Sequence, residues 1–145
     1  MDGDYKIDDE LSLFTVSKTD KFYSPANKSL YDEKGKDTFR HEQNLIISEK
    51  QALLIMGCGH AGVVNIMQKA EKYRPCFCIG GFHLFNPFTR KSVSKELLDD
   101  IVMELQKYKD TKFYTCHCTG KAAFDYLSHH MNNIYYISCG ETVEI

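Results

Sequence analysis

Three times in this chain an apolar, strand-like run ends at a histidine and gives way to a helix-like run. The segments are ALLIMGCGHAG around His60, CFCIGGFHL around His83 and KFYTCHCTG around His117. Strands that alternate with helices pack as a sheet covered by helices, joined by right-handed crossovers. The carboxyl ends of parallel strands then share one edge, and ligands bind there. The pattern therefore predicts that three imidazoles are brought toward one sheet edge. Neutral imidazole is a common metal ligand and a common acid or base, so a metal or acid/base centre is the first expectation.

The rest of the chain frames that edge. Residues 1–44 are predicted to be an irregular segment, polar and broken at Pro25 and Gly35, with one strand in ELSLFTV. Residues 45–145 are predicted to be an alternating strand and helix core, and the whole of 1–145 one domain. NLIIS and ALLIMG read as a β-hairpin about the turn EKQ. AGVVNIMQKAEKY has helical apolar spacing at Val63, Val64, Met67 and Ala70, and Arg74-Pro75 ends it. CFCIGG is a strand. SKELLDDIVMELQKY is the clearest helix, with Ser94 as N-cap and Leu97, Leu98, Ile101, Val102 and Leu105 on one face. KFYTC is a strand, TGKAAFDYLSHHM a helix opened by Thr119, and NIYYISCG the last strand. This order predicts a largely parallel sheet.

Composition excludes several functions. With 18 Lys and Arg against 20 Asp and Glu, the net charge is −2 and no basic cluster stands out, so nucleic acid is a poor partner. No apolar stretch is long enough to span a membrane, and the first residues, MDGDYKIDDE, lack a basic-then-apolar signal sequence. The expected address is cytoplasmic. The cysteines at 58, 76, 78, 116, 118 and 139 lie in or beside strand-like runs and are expected to be reduced thiols.

Each candidate residue has a functional and a structural reading. Small residues around His60 let the backbone turn tightly and give the imidazole room for a ligand. The helix N-terminus that follows favours anions such as phosphate. A plain strand-to-helix turn with a structural histidine would look the same. Gly80 and Gly81 before His83 permit close approach of a ligand or of a neighbouring strand; the plainer reading packs His83 on Phe85. In CHCTG, thiolate and imidazole both suit Zn²⁺, but in an extended segment Cys116 and Cys118 point one way and His117 the other. Cys76, Cys78 and Cys139 read as small apolar residues of buried strands, whereas Cys58 and Cys116 lie next to the expected site. His129 and His130 read as surface residues at a helix end. His41, with Asp37 and Glu42 nearby in DTFRHEQNLII, is a possible acidic supplement to the site.

The ordered set DTFRHEQNLII, GCGHAGVVNI, IGGFHL and CHCTG resembles the metallo-β-lactamase superfamily. More narrowly, it is similar to the branch of metal-dependent hydrolases related to dihydropterin–ribofuranosylaminobenzene phosphate synthase. The resemblance implies an αββα sandwich with zinc or a similar divalent ion at its edge. It implies that His60 is a metal ligand and that His83 and His117 are metal ligands or catalytic substrate contacts. The superfamily's main metal motif, H-x-H-x-D-H, has no counterpart here. By this resemblance the chain corresponds to the C-terminal half of the fold: α/β, a mixed sheet with helices on one face.

Two function classes follow. One is a metal-dependent hydrolase, incomplete alone, that acts on a small-molecule substrate, phosphorylated or not. The other is a non-catalytic half-domain acting as a subunit or binding module. On either reading the uncovered sheet face is expected to pair, in a homodimer or with a separately encoded N-terminal half. The divalent ion can be absent from the isolated chain. A thiol enzyme using Cys58 or Cys116 would need a depressed thiol pKa.

Overall fold

The computed structural model describes residues 3–17 and 21–145, so residues 18–20 of the expected N-terminal loop lie outside the described residues. Its strands are β1 (Tyr5–Lys6), β2 (Leu11–Phe14), β3 (Tyr31–Asp32), β4 (Gly35–Lys36), β5 (Asn44–Ser48), β6 (Ala52–Ile55), β7 (Phe77–Gly80), β8 (Phe85–Asn86), β9 (Lys91–Ser92), β10 (Lys112–Thr115) and β11 (Ile134–Tyr136). Its α-helices are α1 (Val63–Ala70), α2 (Lys95–Leu105) and α3 (Lys121–His130). Seven strands form one sheet in the order β1-β2-β5-β6-β7-β10-β11. Pairing is antiparallel from β1 to β6 and parallel from β6 to β11. The sheet is thus mixed, as the resemblance implies, and not largely parallel as the alternation of strands and helices alone predicts. The change of direction falls at β6, where the short turn after β5 makes a hairpin and the helix after β6 makes a crossover.

One register line shows how the core is built. Ile46, Leu54, Cys78, Phe113 and Ile134 are direct cross-strand partners. All five are buried and belong to one cluster with Val63, Ile66, Met67, Leu98, Ile101, Leu105, Ala123 and Leu127 of the helices. Because strand side chains alternate between faces, the next register line, Leu13, Leu45, Ile55, Ile79, Tyr114 and Tyr135, lies on the opposite face. No helix among the described residues covers that face. Its members are half-buried or exposed, up to 36% for Ile55 and 42% for Tyr135. Phe77, Tyr114 and Tyr135 stack along it.

The helices follow their sequence signals. The Ser94 hydroxyl accepts from the Leu97 amide, and the predicted apolar stripe faces the core. In α1 nearly every side chain is buried, which suits a short helix packed between its neighbours. It continues as a 3₁₀ turn, Glu71–Tyr73, to a left-handed Arg74 before Pro75. The N-terminal segment is more ordered than its composition suggests. It holds a 3₁₀ helix at Pro25–Ser29, capped by Ser24 and opened by proline, and the small β3-β4 hairpin.

Candidate functional site

The turns that follow β6, β7 and β10 are stitched together at one edge of the sheet. The Gly81 amide donates to the Gly57 carbonyl at 2.8 Å, joining the first turn to the second. The Phe82 amide donates to the Thr119 hydroxyl at 2.9 Å, joining the second to the third. The Cys118 thiol donates to the Cys58 carbonyl at 3.4 Å, joining the third to the first. This closeness requires glycine at Gly59 and Gly81. A Cβ on Gly59, which also has φ +66°, would lie 2.5 Å from the Gly81 carbonyl oxygen, and one on Gly81 would lie 2.5 Å from the Cys118 sulfur. The glycines therefore serve close approach between turns.

His60 and His83 meet at this edge. Their ring centroids are 4.0 Å apart and tilted by 48°, so His83 packs on His60 rather than on Phe85 as its plainer reading had it. Phe39, itself buried, stacks on His60 at 4.1 Å and 7°. His83 is 7% exposed, and both its ring nitrogens are buried with no hydrogen-bond partner. Burial, with His60 and His117 close by, holds it neutral down to about pH 4. Burial also lowers the pKa of His60, against the opposing pull of Glu42 and Asp37. His83 and His117 both adopt left-handed backbone, at φ 49° and 48°. His117 is exposed and borders a cleft of about 530 Å³ lined by Cys116, Tyr136, Ile137, Ser138 and Cys139.

Several expectations change here. Residues 117–119 form a 3₁₀ turn, not an extended strand end, so the alternation expected for Cys116, His117 and Cys118 does not hold. Thr119 does not open α3. Its hydroxyl pairs with Thr115 and accepts from Phe82, and Gly120 is the helix N-cap. Two amides of the turn between β6 and α1 are already taken, ahead of the helix N-terminus itself. The Glu42 carboxylate accepts from the His60 amide at 2.8 Å and the Ala61 amide at 3.0 Å. Cys78 is a core residue, but Cys139 is exposed. All six cysteines are free. Cys116 and Cys118 have raised thiol pKa values, mainly from burial, Cys118 to about 12. That is opposite to what an activated thiol nucleophile needs. His41 is exposed beside Asp37, and His129 and His130 lie at the exposed end of α3.

Asn27 is the site residue that the sequence did not reveal. Its amide nitrogen donates to the His60 carbonyl, and its amide oxygen meets His60 Nδ1, each at 2.8 Å. The residue lies 33 positions from His60, in a segment with no periodicity. Only Pro25, which reads as a breaker, lies nearby.

The donors suit a divalent ion in kind: His83 is a neutral, buried imidazole without a partner on either nitrogen, and the half-buried His60 ring beside it has Nδ1 on Asn27. They fall short in number, because among the described residues no group of three or more His, Cys, Asp or Glu side chains is arranged to hold an ion.

Comparison with known proteins bears on the fold. No family model matches the chain. It is 33% identical over 96 residues to an uncharacterized protein of Methanocaldococcus jannaschii, a match spanning 66% of this chain and 34% of that protein. It is 33% identical over 79 residues to the same organism's 7,8-dihydropterin-6-methyl-4-(β-D-ribofuranosyl)-aminobenzene-5′-phosphate synthase, spanning 52% of this chain and 25% of that protein. The matched region is thus about a third or less of these curated relatives. Among solved structures, Tm1679, a metal-dependent hydrolase of the β-lactamase superfamily, superposes with a TM-score of 0.75 at 22% identity. The superposition covers all of this chain and 57% of Tm1679. An isothiocyanate hydrolase from Delia radicum gut bacteria gives 0.59 at 12% identity, covering all of this chain and 58% of that one. The chain has the fold of the metallo-β-lactamase superfamily, and its sequence is similar to the branch that contains the dihydropterin–ribofuranosylaminobenzene phosphate synthase.

Proposed function

We propose that this chain supplies part of a divalent-metal, hydrolase-type centre, with His60 and His83 as zinc ligands and His117 as a further ligand or substrate-facing acid/base. The observation that carries this reading is His83, a buried imidazole without a hydrogen-bond partner on either nitrogen. Buried polar groups are nearly always paired. A neutral ring with two idle nitrogens beside a second neutral ring is what a site prepared for a cation would leave behind. The bound ion would act as a Lewis acid or activate water. The substrate on this reading is a small molecule that can carry phosphate, entering by the cleft at His117.

The remaining ligands would come from a second layer packed on the bare sheet face. The occupant that fits best is a separate αβ layer carrying H-x-H-x-D-H, because the ligand set is short and the solved relatives extend well beyond the matched region. A second copy of this chain would cover the face without supplying that motif. Six free thiols suit a reducing compartment, and a cytoplasmic address goes with this reading. No helix among the described residues is long and apolar enough to cross a membrane.

The test is a Zn²⁺ titration of the chain, alone and mixed with the part of Tm1679 outside the superposed region, expressed separately, followed by sedimentation. The expected result is weak binding alone, tighter binding in a one-to-one complex, and loss of both in His60→Ala and His83→Ala. Binding that survives both substitutions, or no binding of Zn²⁺, Co²⁺ or Mn²⁺ in either state, overturns the metal reading. A self-dimer instead of a mixed complex overturns the choice of occupant. The second function class, a non-catalytic binding subunit, has one observation on its side: no complete ligand group within the described residues.

A further inference from the structure

Asn27 is buried and makes two hydrogen bonds to one residue. A backbone carbonyl oxygen can only accept, so the amide atom facing the His60 carbonyl must be Nδ2. That sets Oδ1 against the imidazole, 2.8 Å from Nδ1. A carboxamide oxygen also only accepts, so Nδ1 must carry the hydrogen. Turning the amide over would press two oxygens together at 2.8 Å and leave both bonds unmade. The carbonyl that makes this choice is itself held still. Glu42 accepts from the amides of His60 and Ala61, and Asn65 Nδ2 donates to the Ala61 carbonyl at 2.7 Å.

We infer that Asn27 is a positioning residue that fixes His60 as the Nδ1–H tautomer and so commits the ring's lone pair to Nε2. His60 then meets a cation or a substrate proton through Nε2 alone. Nδ1 is spent on Asn27, and a neutral His60 has no Nε2–H to donate. The opposite tautomer is the one neutral histidine favours in water, so the protein works against an intrinsic preference here. That the Nε2 lone pair serves a metal rests on the function proposed above; the tautomer does not.

The experiment uses the full chain with ¹⁵N-labelled histidine, stripped of metal by EDTA and held at pH 8. His60 signals are assigned by their loss in His60→Gln. Long-range ¹H–¹⁵N spectra should show Nδ1 bearing the hydrogen and Nε2 bare. Asn27→Leu removes the acceptor and should move much of the hydrogen to Nε2. Hydrogen on Nε2 in the unsubstituted chain overturns the inference, as does an unchanged pattern in a folded Asn27→Leu. If Asn27→Leu does not fold, the unsubstituted chain decides, and hydrogen on Nε2 there overturns the inference. A Zn²⁺ titration separates the two ideas. If zinc binds, Asn27→Leu should weaken it by about 10–100-fold. If zinc binds no form of the chain, the metal reading fails while the spectra still decide the tautomer.

Discussion

The two faces of the seven-stranded sheet are made by the same strands, yet they are different surfaces. On one, Ile46, Leu54, Cys78 and Phe113 are wholly excluded from solvent by three helices. On the other, the adjoining positions Leu45, Ile55, Ile79 and Tyr114 are nearly as apolar but only half-covered, and their main company is one another. A one-residue step along any strand thus moves from a finished core to an unfinished one. Stability should reside on the first face and association on the second.

Neighbouring substitutions should expose this contrast most sharply. Leu54→Ala opens a cavity in a close-packed core and should cost about 3–4 kcal/mol. Ile55→Ala, one position on and already 36% exposed, should cost under ~1 kcal/mol. Urea unfolding of both variants checks this, and equal losses would mean that the second face is a core after all. The edge where the faces meet makes the next prediction. His83 ordinarily titrates at 6.5 and is held to about 4 when folded, a difference worth roughly 3 kcal/mol. Because the folded pKa is the lower one, the unfolded chain takes up the proton first. Stability should therefore be intact above pH 6.5, fall as pH drops from 6.5 to about 4, and level off below that. In metal-free buffer, His83→Gln should flatten this limb of the stability curve.

A smaller effect tests the helix layer. Ser94→Ala removes the α2 cap and should cost about 1 kcal/mol, read as a modest shift in the urea midpoint. The smallest effect on stability is expected on the bare face. Ile55→Glu should change unfolding by less than ~0.5 kcal/mol while abolishing any complex formed through that face in sedimentation. A large loss of stability with association intact would reverse the assignment of the two faces.

Much of this was legible in the residues. Periodicity located the β5-β6 hairpin, α1, α2 and the strands bearing the histidines, because a buried stripe or alternation imposes its spacing on the sequence. The convergence of His60 and His83 followed from topology alone. What stayed hidden depends on contacts between distant segments. Nothing in PANKS announces that Asn27 will bond to His60, nor in HEQNL that Glu42 will occupy the amides there. CHCTG misled because local alternation was extended three residues past the strand, into a turn set by its bonds to Cys58 and Phe82. The antiparallel β1-β2 edge beside the β5-β6 hairpin stayed hidden because its short strands lie in the segment with the weakest pattern.

The left-handed backbone at His83 and His117 carries a further implication. A side chain in that conformation costs of order 1 kcal/mol that glycine would avoid. A chain selected for robustness alone would drift to glycine at both positions, and mutational screens for thermal tolerance should favour that change. Such gains would come by erasing two imidazoles from the sheet edge. Positions where the most stabilising residue is also the most disabling would mark this edge as a place where selection for activity and selection for stability pull apart.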